Sequence, residues 1–120
     1  MNVLLGIDGS ERAFDALQRT IERVRETSDA LTVAIIESEI SNQKTIERRV
    51  HEMIDEERIE ATVRHIEGHA GGKLVEMADA EGFDRLVVGG GERTPMGKIR
   101  FDPTTEFVLL NAETSVTLAR

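Results

Sequence analysis

Two kinds of apolar run alternate along this chain, and their order predicts the architecture. Within Asn2 to Asp8, Val3, Leu4, Leu5 and Ile7 are almost continuously apolar, the pattern of a strand covered on both faces. Asp8-Gly9-Ser10 ends that run. Ala13, Phe14, Leu17, Ile21 and Val24 then recur at helical spacing behind Ser10, a good N-cap. Residues 11–26 are therefore expected to form an amphipathic helix, stopped by the Thr27-Ser28-Asp29 cluster. Leu31 to Ile36 repeats the buried-strand pattern. Ile46, Val50, Met53 and Ile54 mark a second helix whose remaining positions are heavily charged, as on a solvated outer face. Ile59 to Ile66 alternates imperfectly and suits a strand nearer an edge.

The second half continues the alternation. Gly68 to Gly72 reads as a loop and Lys73 to Glu81 as a short helix, with Leu74, Val75 and Ala78 inward and Gly82 as its stop. Leu86, Val87 and Val88 form another buried strand. It runs into Gly89, Gly90 and Gly91, then the basic residues Arg93, Lys98 and Arg100. Asp102-Pro103 can cap a helix and fill its first position. A helix over Thr104–Leu110 and a strand over Thr114–Ala119 follow. The order βαβαβαβαβ predicts an α/β fold over residues 1–120 as one domain: a five-stranded parallel sheet, order 3-2-1-4-5, with helices on both faces. Ligands of such sheets bind beyond the carboxyl ends of the strands where the winding reverses, here strands 1 and 4. Those ends carry Asp8-Gly9-Ser10 and Gly89-Gly90-Gly91, so two glycine-bearing loops are expected side by side. Glycine lets backbone N–H groups approach an anion, and a helix N-terminus adds partial positive charge.

Composition narrows the chemistry. The formal charge of −8 and the charged fraction of 32% argue against nucleic acid or an anionic membrane as partner. The four aromatics, all Phe, offer little for stacking bases. With no cysteine, disulfides and cysteine-ligated metals are excluded. The opening MNVLLGIDGS has no basic leader, and its apolar run is too short for a signal or a span, so a cytoplasmic location is expected. His65 and His69 flank Gly68 without a third ligand in range, which favours surface histidines over a metal pair. Ser10 has no histidine nearby in sequence, so no catalytic residue is assigned. A response-regulator receiver would want further acids and a lysine at the strand ends, where this chain offers Asp8 alone. Asp8 itself has two readings, a ligand-facing carboxylate or an Asx-type cap beside Ser10.

The LLGIDGS opening, the run GGKLVEMADAEGFDRLVVGG and the closing Glu106-to-Arg120 helix and strand together resemble the universal stress protein family, over almost the whole chain. The resemblance implies the adenine nucleotide hydrolase-like fold and pairing into homodimers through the last strand, at Val116, Thr117 and Leu118. That strand, TSVTLA, carries neither the charge nor the proline that usually blunts an exposed edge. Nucleotide-binding members carry a glycine, two residues, a second glycine, nine residues, then Gly-Ser or Gly-Thr. Gly89 matches the first position, Glu92 falls on the second, and Asp102-Pro103 falls on the final pair. Arg93 matches the arginine that often follows the second glycine. Asp8 matches the acidic residue that meets the ribose and adenine end. Gly90 and Gly91 can replace the missing glycine, and Thr104 or Thr105 can supply a hydroxyl. The candidate nucleotide site is thus Asp8, Gly89, Gly90, Gly91, Arg93 and Thr104, with ATP as its ligand and no cofactor required. The departures count against phosphate. Asp102 puts a carboxylate where a phosphate oxygen approaches, and two unit charges at about 4 Å repel by roughly 1–4 kcal/mol. Pro103 also lacks an N–H. The function expected is a non-enzymatic regulatory or interaction module acting as a homodimer. The alternative is an ATP- or AMP-binding stress-response domain.

Overall fold

The computed structural model runs, in chain order, β1 (Asn2–Ile7), α1 (Glu11–Thr27), β2 (Ala30–Ile36), α2 (Gln43–Glu56), β3 (Ala61–Ile66), α3 (Ala70–Ala80), β4 (Arg85–Gly89), β5 (Glu92–Arg93), β6 (Ile99–Arg100), α4 (Pro103–Asn111) and β7 (Ser115–Ala119). Residues 38–41, 90, 91, 94 and 120 lie outside the residues described, as do the side chains of residues 92, 93 and 99. Gly90 and Gly91 of the candidate site are therefore outside the description.

The main sheet has the order β3-β2-β1-β4-β7, the 3-2-1-4-5 winding expected from the alternation. All its pairs are parallel, with β1 held between β2 (Val3 opposite Leu31) and β4 (Val3 opposite Arg85). Alternation along β1 sends Val3, Leu5 and Ile7 into one core layer and Leu4 into the other. The first layer lies under α1 and α2, through Phe14, Leu17, Ile21, Val50 and Ile54. The second lies under α3 and α4, through Leu74, Met77, Ala78 and Val108. Right-handed crossovers require this division, because the winding runs one way from β1 to β3 and the other way from β4 to β7.

The local chemistry of the ends explains the boundaries. Ser10 caps α1 by accepting the Ala13 N–H at 3.2 Å, and Ser28 stops it in the left-handed region. The α3 helix begins at Ala70, three residues before the Lys73 expected, because His69 is its N-cap: Nδ1 accepts the Gly72 N–H at 2.8 Å. Gly71 also has a packing role. A Cβ there would stand 2.9 Å from Phe107 Cβ, so only glycine lets α3 approach α4 this closely. The β3 strand begins at Ala61 rather than Ile59. The stretch expected as one glycine-rich loop contains a short antiparallel hairpin, with Glu92 opposite Arg100 and Arg93 opposite Ile99.

Asp79 ties the end of α3 to the turn before β7. Its carboxylate accepts from the Thr114 hydroxyl at 2.6 Å, the Thr114 N–H at 3.1 Å and the Glu113 N–H at 3.4 Å. These bonds, the hydroxyl's above all, hold the Asp79 carboxyl below its ordinary value of 3.8. Folding therefore favours ionised Asp79. Its contribution to stability is complete above the unfolded carboxyl's value and is lost as pH falls through the lower folded value. Urea midpoints of the intact chain and of Asp79→Asn, measured between about pH 5 and pH 2, should converge as the pH falls, the variant lacking this part of the acid dependence.

A cleft at the carboxyl ends of the central strands

At its carboxyl end β1 gives way to a tight turn. Gly9 sits at φ 87° and Asp8 Oδ1 accepts the Ser10 N–H at 3.0 Å. Asp8 thus forms the Asx turn allowed for it, while its exposed carboxylate borders a cleft of about 1010 Å³. The other wall comes from β4 and α4. Gly89, Arg100, Asp102, Pro103, Thr104 and Thr105 line the same space. Of the candidate residues, Asp8, Gly89 and Thr104 are therefore brought together. For Arg93 the structure describes only the backbone, paired with Ile99 in the hairpin.

The N-terminus of α4 faces this cleft and its amides are largely committed. Asp102 is the N-cap, Oδ1 accepting the Thr105 N–H at 2.8 Å. The Glu106 N–H bonds the Asp102 carbonyl at 3.0 Å, and Pro103 at the first position has none to give. Among the described residues, the Thr104 amide is what remains of the first turn. Thr105 is the residue that sequence reasoning underweighted. It is 2% exposed, and its hydroxyl donates to the Gly89 carbonyl at 3.3 Å, clamping α4 to the end of β4. Its place three residues after a capping aspartate was the signal available.

Among the described residues the cleft is acidic on balance. Asp8, Glu11, Asp15 and Asp102 line it against Arg12 and Arg100. Glu11 is engaged by Arg49 through two bonds of 2.8 and 3.1 Å, which hold its carboxyl below the ordinary value and keep it ionised. Arg49 in turn stacks over Phe14, 3.9 Å from the ring centre. The histidines do not form a metal pair. His69 caps α3 with its ring edge-on to Phe107, and His65 lies 3.4 Å from Glu47. Among the described residues, no group of three or more His, Asp or Glu is placed to hold a metal ion.

A parallel sheet with a cleft at its switch point, bordered by a helix N-terminus, defines the doubly wound α/β class. The chain belongs to the universal stress protein family, whose profile matches residues 1–120. No curated protein matches it. Among solved structures, a universal stress protein from Archaeoglobus fulgidus is 20% identical with a TM-score of 0.79, covering 100% of this chain and 98% of that one. A universal stress protein solved in complex with cAMP is 23% identical with a TM-score of 0.80, covering 100% and 96%. One from Archaeoglobus fulgidus in complex with dAMP is 18% identical with a TM-score of 0.74, covering 100% and 98%. At these identities the likeness establishes the fold.

The cap makes a separable stability prediction. Asp102→Ala removes the acceptor of the Thr105 N–H and should cost about 1 kcal/mol, whereas Asp102→Gly should cost only a few tenths, about 0.3 kcal/mol. Urea denaturation of the two variants beside the intact chain measures the difference.

Proposed function

We propose that this chain is a non-enzymatic regulatory module of the universal stress protein family that pairs with its own copy and no longer cradles a nucleotide's phosphates. The observation that carries the reading is the state of the α4 N-terminus. Asp102 already occupies the Thr105 amide, and Pro103 has no amide to offer. A phosphate arriving there would displace a bonded carboxylate or sit beside it as a like charge. The acidic balance of the cleft acts in the same direction. The relatives solved with cAMP and dAMP make adenine nucleotides the ligands to test.

Pairing is supported at β7. It forms the free edge of the sheet, with unpaired backbone groups facing outward. Val116 and Leu118, expected at the pairing surface, have their side chains packed against the α3 and α4 layer. The exposed apolar surface beside the edge comes from α4. There Phe107 meets Gly71 on α3, while helical spacing puts Leu109, 40% exposed, on the side away from α3. Two copies related by a two-fold axis would cover both edges and both Leu109 side chains in one isologous contact.

Titration calorimetry with ATP and AMP, on protein checked for co-purified ligand, tests the cleft. The intact chain should show no micromolar ATP binding, and Asp102→Gly with Pro103→Ser should gain it by at least about tenfold, one phosphate contact's worth. Micromolar binding by the intact chain would favour the nucleotide-binding alternative. Sedimentation tests the pairing: the intact chain should be a dimer, and Leu109→Lys with Leu110→Lys should weaken it at least about tenfold through buried like charge. A monomer at high concentration would overturn it.

A further inference from the structure

A second concavity, with no lining residue in common with the cleft, lies where the carboxyl-terminal half of α1 passes over β4 and β7. It holds about 460 Å³ and is lined by Val3, Val24, Val87 and Ala119 together with Arg19, Arg23 and Arg85. The apolar members belong to the α1 side of the sheet, three of them in its buried core and Ala119 packed against it. Two helices must share that face, and α2 lies over the opposite half of the sheet, so the β4–β7 end has a floor without a full roof.

The charge around this floor is unusual for the chain. The protein carries −8 overall, yet three arginines line one groove. None of the three makes an ion pair among the described residues, whereas Arg25, Arg49 and Arg64 are each bonded to a glutamate. Arg19 and Arg23 are four residues apart, hence on one face of α1, where like charges repel. The single acid of the lining, Asp29, has its carboxyl held below the ordinary value by its bonds to the Met1 ammonium and the Thr27 hydroxyl, and the charge of Arg85, which it faces, adds to this. It accepts from the Met1 ammonium at 2.8 Å and the Thr27 hydroxyl at 2.7 Å.

We propose that this groove binds a small anionic amphiphile, its carboxylate head held by Arg19, Arg23 and Arg85 and its apolar body laid over Val24, Val87 and Ala119. The volume falls within the range of about 300–1,000 Å³ usual for small-ligand sites, and the lining joins an apolar floor to a charged rim. Guanidinium forks match a carboxylate with two parallel bonds, and the apolar floor excludes the water that would otherwise screen them. The groove shares no lining residue with the cleft, so its ligand is independent of the nucleotide question.

Decanoate is the probe, compared with decanol and decyltrimethylammonium below their micelle concentrations. Decanoate should bind the full chain at least about tenfold more tightly than either, and weaken as salt is raised, as charge-assisted bonding requires. Arg19→Gln with Arg23→Gln, both exposed positions, should lose at least about tenfold in decanoate affinity while keeping the circular dichroism and urea midpoint of the intact chain. Amide shifts on titration should centre on Thr20, Val24, Val87 and Thr117. Equal affinity for the three probes, an unchanged affinity in the double variant, or shifts centred on Leu109 and Leu110 would overturn the proposal. A second test fills the floor: Ala119→Phe should abolish decanoate binding, and retained affinity in that variant would count against the site.

Discussion

Everything else in this structure depends on β1 being buried on both faces. Leu4 and Leu5 are fully buried, one in each core layer, and the strand is paired on both sides. A strand so placed must be continuously apolar, because neither face meets water. It must also be the point from which the chain winds in both directions, since each half needs its own helices on its own face. The cleft follows from that. Where β1 and β4 end side by side, the next segments of chain leave toward opposite layers and leave a gap between them. Even Gly6 fits this account: a Cβ there would stand 2.7 Å from a methyl of fully buried Leu74, so the strand gives up a side chain to let α3 settle.

The same constraint decided what could be read from the sequence. Burial on both faces leaves a strong mark, so β1, β2 and β4 and the order of the sheet were legible. A helix with one wet face leaves an equally strong one, which is why α1 was placed to within a residue or two. The start of α3 was hidden. Gly71 and Gly72 read as a loop by propensity, but a histidine cap and the close approach of Phe107 outweigh that preference. The β5–β6 hairpin has two residues per strand, too short for any periodicity to register. At the cleft, Asp8 and Gly89 were found because strand ends are easy to locate. Thr105 was not singled out, because its importance lies in a bond to a residue sixteen positions away. The side of the sheet faced by Val116 and Leu118 was likewise invisible, since alternation fixes that two residues share a face and not which layer lies there.

The distribution of charge carries information that the total does not. A chain of −8 would be expected to present acid everywhere, and along α2 and around the cleft it does. Three arginines neutralise that acid locally: Arg49 on Glu11, Arg25 on Glu57, Arg64 on Glu81. Exposed pairs of this kind add little to stability, with a median of about 0–1 kcal/mol. Arg19, Arg23 and Arg85 instead line one groove together, with Asp29 as its single acid. That groove has an apolar floor of Val3, Val24, Val87 and Ala119.

Helix capping and anion binding draw on the same donors, and in α4 they compete directly. A helix needs its first amides satisfied, and a side-chain oxygen at the N-cap does this from within the chain. A phosphate does it from outside, assisted by the same partial charge. Where the cap is glycine, the amides wait for a ligand. Where it is aspartate, a carboxylate is held within a few ångströms of them at all times, and its bond of 2.8 Å to Thr105 is as short as a phosphate's would be. On the function proposed above, an external anion would compete at that amide with a bond the helix already has and would meet like charge as it approaches. Proline at the next position reinforces the outcome, since it favours the helix start while withholding a donor. Among the described residues these two neighbours leave the Thr104 amide as the open donor of the first turn of α4.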